Sequence, residues 1–143
     1  MFAKQLTVFI ENRAGRLCEV LDVLKKSNVN ILSLSLADTT EFGLLRLIVD
    51  DATLGKEKLT ESGFSSLLSD VSIIHIPHKV GSLQALLKTI DESGINIEYM
   101  YGLSIKSDNA YVVLKTSDIT LTDKILEKNN IKTISCEELA NIN

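Results

Sequence analysis

The chain has 143 residues, of which 45% are hydrophobic and 24% charged, and its net charge at pH 7 is -4. These values are typical of a globular protein, and an acidic chain without a basic cluster argues against a nucleic-acid-binding protein. The sequence begins without a recognisable signal peptide, and no apolar run approaches the ~20 residues that a membrane-spanning helix needs. We therefore expect a cytoplasmic protein that makes no membrane contact.

The first half of the chain is predicted to form a strand, a helix, two strands, a helix and a strand. Apolar and polar residues alternate from Gln5 to Ile10, which is typical of a strand. The next apolar residues recur at helical spacing and would form one stripe: Leu17, Val20, Leu21 and Leu24. The later segments are strands at Asn30–Ala37, Leu44–Val49 and Phe64–Leu68, a hairpin at Asp38–Glu41, and a helix that begins near Asp51 and stops at Gly63.

The second half of the chain repeats the first at an offset of 66 residues. Gly81 matches Gly15, and the helix stripe returns at Leu83, Leu86, Leu87 and Ile90. The match needs no gap from Val8 through Asp51, which indicates internal duplication. The repeated segments are strands at Val71–Ile76, Glu98–Leu103, Ala110–Lys115 and Ile131–Ile134, a hairpin at Ser107–Asn109, and a helix at Leu121–Lys128. We expect two domains, residues 1–69 and 70–143.

Two β-α-β-β-α-β units predict two ferredoxin-like sandwiches in tandem, an α+β fold with antiparallel sheets and both helices on one face. The third strand is apolar on both of its faces, with Leu44 and Ile48 on one and Leu45 and Leu47 on the other. Strands that are buried on both faces give such continuous apolar runs. We therefore expect the sheet face away from the helices to be covered by the sister unit or by another chain.

The turn between the first strand and the first helix, Glu11–Gly15, carries the polar groups best suited to a ligand. A glycine at the start of a helix lets a ligand approach the backbone N–H groups of the first turn, and that end of the helix favours anions. Asn12 offers a donor and an acceptor, and Arg13 and Arg16 add positive charge. A purely structural role is the alternative, with Asn12 beside the helix N-cap and Gly15 permitting a tight turn into the helix.

Asn12-x-x-Gly15-x-Leu17, followed by Val29-Asn30-Ile31 and the strand Leu44–Asp50, resembles an ACT domain. The second unit is similar to the same family through His78-x-x-Gly81-x-Leu83 and the later Gly94-Ile95-Asn96-Ile97-Glu98-Tyr99. The resemblance covers nearly the whole chain. It therefore points to the stand-alone proteins made of two tandem ACT domains.

This resemblance implies a non-enzymatic regulatory module that binds a small molecule, usually an amino acid, without a cofactor. In this family, ligands lie where the first loop of one unit meets the start of strand two of another. One implied site consists of Asn12, Arg13, Ala14, Gly15, Arg16 and Leu17 with Asn96, Ile97 and Glu98. The pseudo-equivalent site consists of His78, Lys79, Val80, Gly81, Ser82 and Leu83 with Asn30, Ile31 and Leu32. The sequence leaves open whether these sites form within one chain or between chains.

The second loop departs from the pattern of the first. His78 stands where the first loop has Asn12, and Pro77 stands where it has Glu11. The Asn12 loop is therefore the stronger candidate. His75 and His78 are three residues apart, but no cysteine or carboxylate cluster joins them, so we expect no metal site and assign His75 to an interface.

We expect a homodimer, because small units with apolar edges tend to pair. The chain carries no catalytic or DNA-binding domain that it could regulate in cis, so the resemblance implies a regulated enzyme in trans. Cys18 and Cys136 have no CxxC spacing and are interpreted as free thiols in a reducing cytosol, with a disulfide or a nucleophile as the alternatives. Tyr99 and Tyr101 are interpreted as packing residues, with a hydrogen bond to the ligand as the alternative.

Three other functions are compatible with the same strand order. An acylphosphatase-like hydrolase would use Arg13 and Arg16 to hold phosphate and Asn30 to orient water. A ligand-free protein-interaction module would need only the apolar surfaces. An RNA-binding sheet would need stacking aromatics and a basic surround, whereas the first unit offers only Phe9 on its central strands and the chain is acidic.

Overall fold

The computed structural model describes residues 2–38, 41–103 and 110–142. The chain divides into two compact units, one of Lys4–Ser69 and one of Met1–Ala3 with Asp70–Asn143. The domain boundaries expected from the sequence, 1–69 and 70–143, stay a prediction. The sequence-predicted hairpin at Ser107–Asn109 and the central part of the hairpin at Asp38–Glu41 lie outside the described residues.

The first unit has the predicted β-α-β-β-α-β order. Its elements are β1 Ala3–Glu11, α1 Arg16–Lys26, β2 Ile31–Asp38, β3 Phe42–Val49, α2 Ala52–Glu61 and the beginning of β4, Ser65–Ile76. The strand order is β2-β3-β1-β4, so β2 is the outermost strand. β3 is antiparallel to both β1 and β2, and Leu47 lies opposite both Leu6 and Leu34.

The second unit repeats this arrangement after the end of β4. Its elements are α3 Ser82–Asp91, β5 Ile97–Leu103, β6 Ala110–Thr116, α4 Ile119–Lys128, β7 Thr133–Ile134 and α5 Cys136–Ile142. The strand order is β5-β6-β4, and β7 pairs with β4; all of these pairs are antiparallel. The prediction of two ferredoxin-like sandwiches in tandem is confirmed.

Most element boundaries lie within two residues of the prediction, and the largest differences concern β4, β7 and α5. β4 is a single strand of 12 residues, where the sequence predicts two strands separated at Ser69 and Asp70. Ser69 and Asp70 have low intrinsic strand propensity, but pairing with neighbouring strands outweighs that propensity. Polar residues lower stability little at exposed or half-buried positions of a strand. The last strand, β7, has two residues rather than four, and α5 follows it without having been predicted.

Each unit packs its helices onto one face of its sheet around its own apolar core. In the first unit the buried side chains of β1, α1, β3 and α2 include Leu6, Val8, Val20, Leu24, Leu47 and Leu59. In the second unit they include Ile74, Leu86, Ile90, Leu114 and Leu126. Most residues of the predicted helix stripes therefore face the cores, whereas Leu21 and Leu87 are half-buried outside them and Leu83, at the start of α3, is 42% exposed. Among the described residues, every helix is too short or too polar to cross a membrane.

Part of the sheet face away from the helices is also buried in the first unit. Gln5 and Ile48 alternate along their strands with core residues and therefore point to this face, yet both are fully buried. The Gln5 side-chain amide donates to the Thr7 hydroxyl at 3.1 Å. What covers this face, the sister unit or another chain, stays a prediction.

Candidate functional site

The loop from Glu11 to Gly15 makes a tight turn that ends in a left-handed glycine. The Arg13 backbone N–H donates to the Glu11 carbonyl at 2.8 Å, and Gly15 has a φ of 87°. A Cβ placed on Gly15 would meet no atom within 4 Å, so backbone conformation rather than packing requires a glycine. No side chain caps the start of α1, which argues against the structural alternative of a capping role for this loop.

The second loop has the same geometry although its sequence differs. The Lys79 N–H donates to the Pro77 carbonyl at 2.8 Å, and Gly81 has a φ of 86° before α3. No side chain caps α3 either. The glycine is the residue that the two loops share, and it alone accounts for the common backbone conformation.

A pocket of about 340 Å³ lies beside the first loop, within the first unit. Its lining combines the loop with the end of β2 and the start of β3: Ile10, Glu11, Asn12, Arg13, Leu17, Leu36, Ala37, Asp38 and Gly43. Three of the sequence-predicted site residues, Asn12, Arg13 and Leu17, therefore share a pocket. Asp38, which the sequence analysis did not select, joins them.

The polar groups of this pocket carry charges of both signs. The Arg13 guanidinium pairs with the Glu11 carboxylate at 3.3 Å, and both side chains are more than half exposed. An ion pair this exposed contributes roughly 0–1 kcal/mol, so a ligand carboxylate can displace Glu11 at little cost. Asp38 supplies a second carboxylate and Asn12 an amide, while Leu17 and Leu36 supply apolar surface. This combination suits a small molecule that has both a carboxylate and an ammonium group.

Arg16, Ala14 and Gly15 do not line this pocket. The Arg16 guanidinium lies over the Phe64 ring at 4.4 Å from its centroid and donates to the Glu19 carboxylate at 2.6 Å. The Arg16 side chain is only 17% exposed, and its buried Nε has no hydrogen-bond partner among the described residues. Arg16 therefore packs against the segment that follows α2, and the structure gives it a structural role.

The second loop lines a broader cleft of about 730 Å³ within its own unit. Lys79, Gly81 and Leu83 lie there together with Ile97, the first residue of β5. Four of the sequence-predicted residues therefore come together inside one unit. Val80 projects fully into solvent, and Ser82 lines a different cleft on another face of α3.

Asn30 and Asn96, which precede β2 and β5, hold the starts of these strands through their backbones. The Asn30 N–H donates to the Asp50 carboxylate at 2.9 Å, and its carbonyl accepts from the Asp50 N–H at 3.1 Å. Asn96 makes the same two bonds with Ser117, at 3.1 and 2.9 Å. The Asn-Ile motif therefore has a structural role, which is to fix the start of each strand. Asn30 and Ile31 also line a hollow of about 350 Å³ on the first unit.

The remaining predicted residues have separate roles. Glu98 lies 3.9 Å from Lys115 across neighbouring strands. The His75 ring contacts the Tyr111 ring with centroids 5.2 Å apart, and both cysteines are free thiols. No cluster of three or more metal-ligating side chains occurs within residues 2–38, 41–103 and 110–142. The predicted pairing of each loop with strand two of another unit stays a prediction.

The comparisons with known proteins agree with the fold and with its two similar units. A family model described as an ACT domain pair matches residues 1–143. The crystal structure of protein BT0572 from Bacteroides thetaiotaomicron is 34% identical, with a TM-score of 0.91, and the match covers 97% of this chain and 96% of that one. No curated protein matches the chain.

Two more distant structures share the fold alone. The regulatory subunit of aspartate kinase from Thermus thermophilus, in its ligand-free form, is 15% identical with a TM-score of 0.60, over 87% of this chain and 91% of that one. The regulatory subunit of aspartate kinase from Thermus flavus is 16% identical with a TM-score of 0.61, over 89% and 90%. With the family model spanning every residue, the chain belongs to the ACT domain pair family.

Proposed function

We propose that this protein is a non-enzymatic regulator that binds an amino acid beside the Glu11–Gly15 loop and acts on a partner enzyme in trans. ACT domain pairs are a regulatory family and generally lack catalysis of their own. The regulatory subunits of aspartate kinase, which share the fold, are an example of such a division between regulator and enzyme. The identity of that enzyme partner does not transfer to this chain at such low sequence identity.

One observation carries the amino-acid proposal, namely the set of charges in the pocket beside the first loop. Arg13 and the Asn12 amide can bind an α-carboxylate, and Asp38 can bind an α-ammonium group. The apolar surface of Leu17 and Leu36 is available to a side chain. A volume of about 340 Å³ lies at the lower end of the range for small-molecule sites.

The proposed regulation works through assembly. We propose that the protein is a homodimer in a reducing cytoplasm, a compartment in which cysteines without a disulfide, such as Cys18 and Cys136, are usual. A ligand that binds one assembly more tightly than another shifts the population toward it, and a partner enzyme that recognises that assembly is regulated as a result.

The acylphosphatase-like alternative finds no support in the loop. That chemistry would use both Arg13 and Arg16 to hold phosphate, but the Arg16 guanidinium is engaged by Glu19 and Phe64. The Asn30 backbone is held by Asp50, and its side chain lies outside the pocket that contains Arg13. The alternative of a ligand-free protein-interaction module would be favoured if no amino acid stabilised the protein against thermal unfolding.

The test is a thermal-unfolding screen of the whole protein against the twenty amino acids. A ligand present at ~100 times its dissociation constant adds roughly 2.7 kcal/mol to the free energy of unfolding. For a chain of this size we expect the transition temperature to rise by at least several degrees with one or a few amino acids. Asn12→Ala removes the amide that binds the carboxylate, so this rise should disappear.

His78→Ala is the matched control, because His78 occupies the same position in the sister loop and lines neither loop cleft. This variant should retain the stabilisation by the same amino acids. If no amino acid raises the transition temperature of the wild-type protein, the amino-acid proposal fails and a protein-interaction module becomes the better description. If both variants lose the effect, the assignment to the Asn12 pocket is wrong.

A further inference from the structure

The two units differ sharply at one place where their duplication predicts similarity. This place is the groove between the first helix of each unit and the turn that follows its second helix. In the first unit the groove is filled by three side chains, Arg16, Glu19 and Phe64, which stack and pair with one another. The residues at the equivalent backbone positions of the second unit are smaller and carry no charge: Ser82 and Ala85, at the offset of 66, and Ile131, at an offset of 67.

Backbone hydrogen bonds establish this equivalence, and they show that the offset is 67 rather than 66 after the second helix of each unit. The N–H groups of Glu19 and Ala85 donate to the carbonyls of the left-handed glycines, Gly15 and Gly81, both at 3.0 Å. The N–H groups of Phe64 and Ile131 donate to the helix carbonyls of Leu59 and Leu126, at 2.9 and 2.8 Å. The backbones are therefore alike, and the difference lies in the side chains.

The smaller side chains leave a cleft of about 420 Å³ in the second unit. It runs between α3, the end of β4 and the turn after α4, and its lining lies entirely in the second unit. Its volume falls within the usual range of small-molecule sites. The cleft beside the second loop is lined by other residues of α3, so the two are distinct.

The side chains that line this cleft favour an anionic ligand. Lys132 lines the cleft, and its ammonium has no ion-pair partner in the part of the chain that the structure describes. The Ser82 hydroxyl and the Asn130 amide add hydrogen-bonding groups, the Asn129 amide already donates to the Ile125 carbonyl at 2.8 Å, and no carboxylate side chain lines the cleft. A cationic ligand would therefore find no countercharge, whereas a carboxylate would find an ammonium and neutral donors.

Asn130 adds a second distinguishing feature at the edge of the cleft. Its φ is 56°, a left-handed conformation, and the first unit has Gly63 with a φ of 86° at the same place. Asparagine tolerates this conformation better than most residues but less well than glycine. The second unit therefore places a side-chain amide where the first unit has none. Leu86 and Ile131 give the same cleft an apolar surface.

We propose that this cleft is a second small-molecule site, which binds a small carboxylate with an apolar tail and no ammonium group. Lys132 binds the carboxylate, Ser82 and Asn130 orient it, and Leu86 and Ile131 contact the tail. The site belongs to the second unit alone, because Arg16, Glu19 and Phe64 fill the equivalent groove of the first. It is separate from the proposed amino-acid pocket and does not depend on it.

The test is a titration of the full-length, ¹⁵N-labelled protein followed by two-dimensional NMR. The probes are isovalerate, isopentylamine and isopentanol, which share one apolar tail and differ in their charge. We expect isovalerate to produce saturable shifts at the amides of Ser82, Ala85, Asn130 and Lys132. The amine should produce none, and the alcohol should bind more weakly than isovalerate, because it lacks the charge that pairs with Lys132.

Two variants and one control locate the binding. Lys132→Met keeps most of the length of the side chain and removes its charge, so it should weaken isovalerate binding by roughly tenfold or more. The triple variant S82R/A85E/I131F introduces the groove residues of the first unit and should abolish the saturable shifts. Asn12→Ala, at the amino-acid pocket, should leave isovalerate binding unchanged, which separates failure of this proposal from failure of the proposed function.

The proposal is overturned if isovalerate does not saturate, or if isopentylamine shifts the same amides equally. Shifts confined to residues 12–17 would place the binding at the first loop and would overturn it as well. If the triple variant does not give the dispersed spectrum of a folded protein, Lys132→Met alone decides: unchanged affinity in that variant contradicts the proposal.

Discussion

At the scale of single residues, the left-handed glycines fix the geometry of both loops. Gly15 and Gly81 have φ values of 87° and 86°, and neither position would bring a Cβ within 4 Å of another atom. An L side chain in this conformation costs roughly 1–2 kcal/mol from backbone strain alone. We expect Gly15→Ala to lower the free energy of unfolding by about that amount, as measured by urea denaturation.

Gly102→Ala is the control for this prediction. Gly102 lies in β5, a Cβ there would also meet no atom within 4 Å, and its φ is outside the left-handed region. Alanine at such a position restricts the unfolded chain and should raise stability by up to about 1 kcal/mol. Equal losses from the two substitutions would mean that backbone conformation does not explain the glycine in the loop.

The buried hydroxyls of Thr116 and Thr122 form a directional pair in the second unit. Their oxygens are 2.7 Å apart, and the Thr122 hydroxyl donates to the Asp118 carbonyl, also at 2.7 Å. Because Thr122 has only one hydroxyl proton, Thr116 must donate to Thr122. Thr122→Val therefore leaves the buried Thr116 hydroxyl without an acceptor and should cost roughly 1–3 kcal/mol.

The opposite substitution, Thr116→Val, should cost less, because Thr122 keeps its bond to Asp118. The double variant should recover part of the loss seen in Thr122→Val, since no unpaired hydroxyl then remains. Unfolding free energies of the three variants measure this asymmetry. Equal losses from the two single substitutions would contradict the assigned direction of the hydrogen bond.

At the scale of elements, α2 and α4 begin with the same aspartate cap. The Asp51 carboxylate accepts from the Leu54 N–H at 3.0 Å, and the Asp118 carboxylate accepts from the Leu121 N–H at 2.9 Å. Removal of such a cap typically costs about 1 kcal/mol. We expect Asp51→Ala and Asp118→Ala each to lower the free energy of unfolding by about 1 kcal/mol.

The control is Glu57→Ala, which removes an exposed carboxylate from the interior of α2, away from its N-terminus. Such surface substitutions usually change stability by less than about 0.5 kcal/mol. Thermal unfolding of the three variants tests the prediction. A loss in Glu57→Ala as large as in the cap variants would indicate a general charge effect instead of capping.

The order of these elements is readable from the sequence because helix stripes and strand alternation are local patterns. The duplication strengthens each assignment, since the stripe around Leu24 returns around Ile90. Helix α5 is not among the predicted elements, although the sequence contains a signal for it. Ser135 and Glu138 form the Ser-x-x-Glu pattern of a capping box, and the Ser135 hydroxyl accepts from the Glu138 N–H at 3.1 Å.

The loop itself was found from the sequence, but its partner in the pocket was not. Asp38 lies opposite Gly43 in β3, and Gly43 lies opposite Ile10, next to the loop. Asp38 lies near the loop only because β2, β3 and β1 pair in this register. The sequence pattern predicts the strands but not the register in which they pair. The stacking of Arg16 on Phe64 likewise joins residues that are far apart in the sequence, so no local pattern predicts it. The ligand role predicted for Arg16 rests on its charge alone.

At the scale of the whole molecule, the outer strand of the first unit is an exposed apolar edge. Leu34 and Leu36 in β2 are 48% and 53% exposed, although they lie opposite the fully buried Leu47 and Leu45. An outermost strand with large apolar side chains offers both backbone hydrogen-bonding groups and apolar area to a partner. This edge is the surface through which we expect two copies of the chain to form the proposed homodimer.

Sedimentation of Leu36→Lys tests this expectation directly. A lysine on an edge strand opposes strand pairing, and each half-exposed Leu36 of the two copies would contribute about half of the roughly 1.5–3 kcal/mol that full burial of a leucine provides. We therefore expect dimer dissociation to become at least about tenfold easier. Leu121→Lys is the matched control, because Leu121 is 40% exposed and lies on the helix α4 rather than on a strand, so the wild-type dimer should persist in it. If the wild-type protein sediments as a monomer at every concentration, the dimer proposal fails. If both lysine variants dissociate alike, added charge rather than the β2 edge controls association.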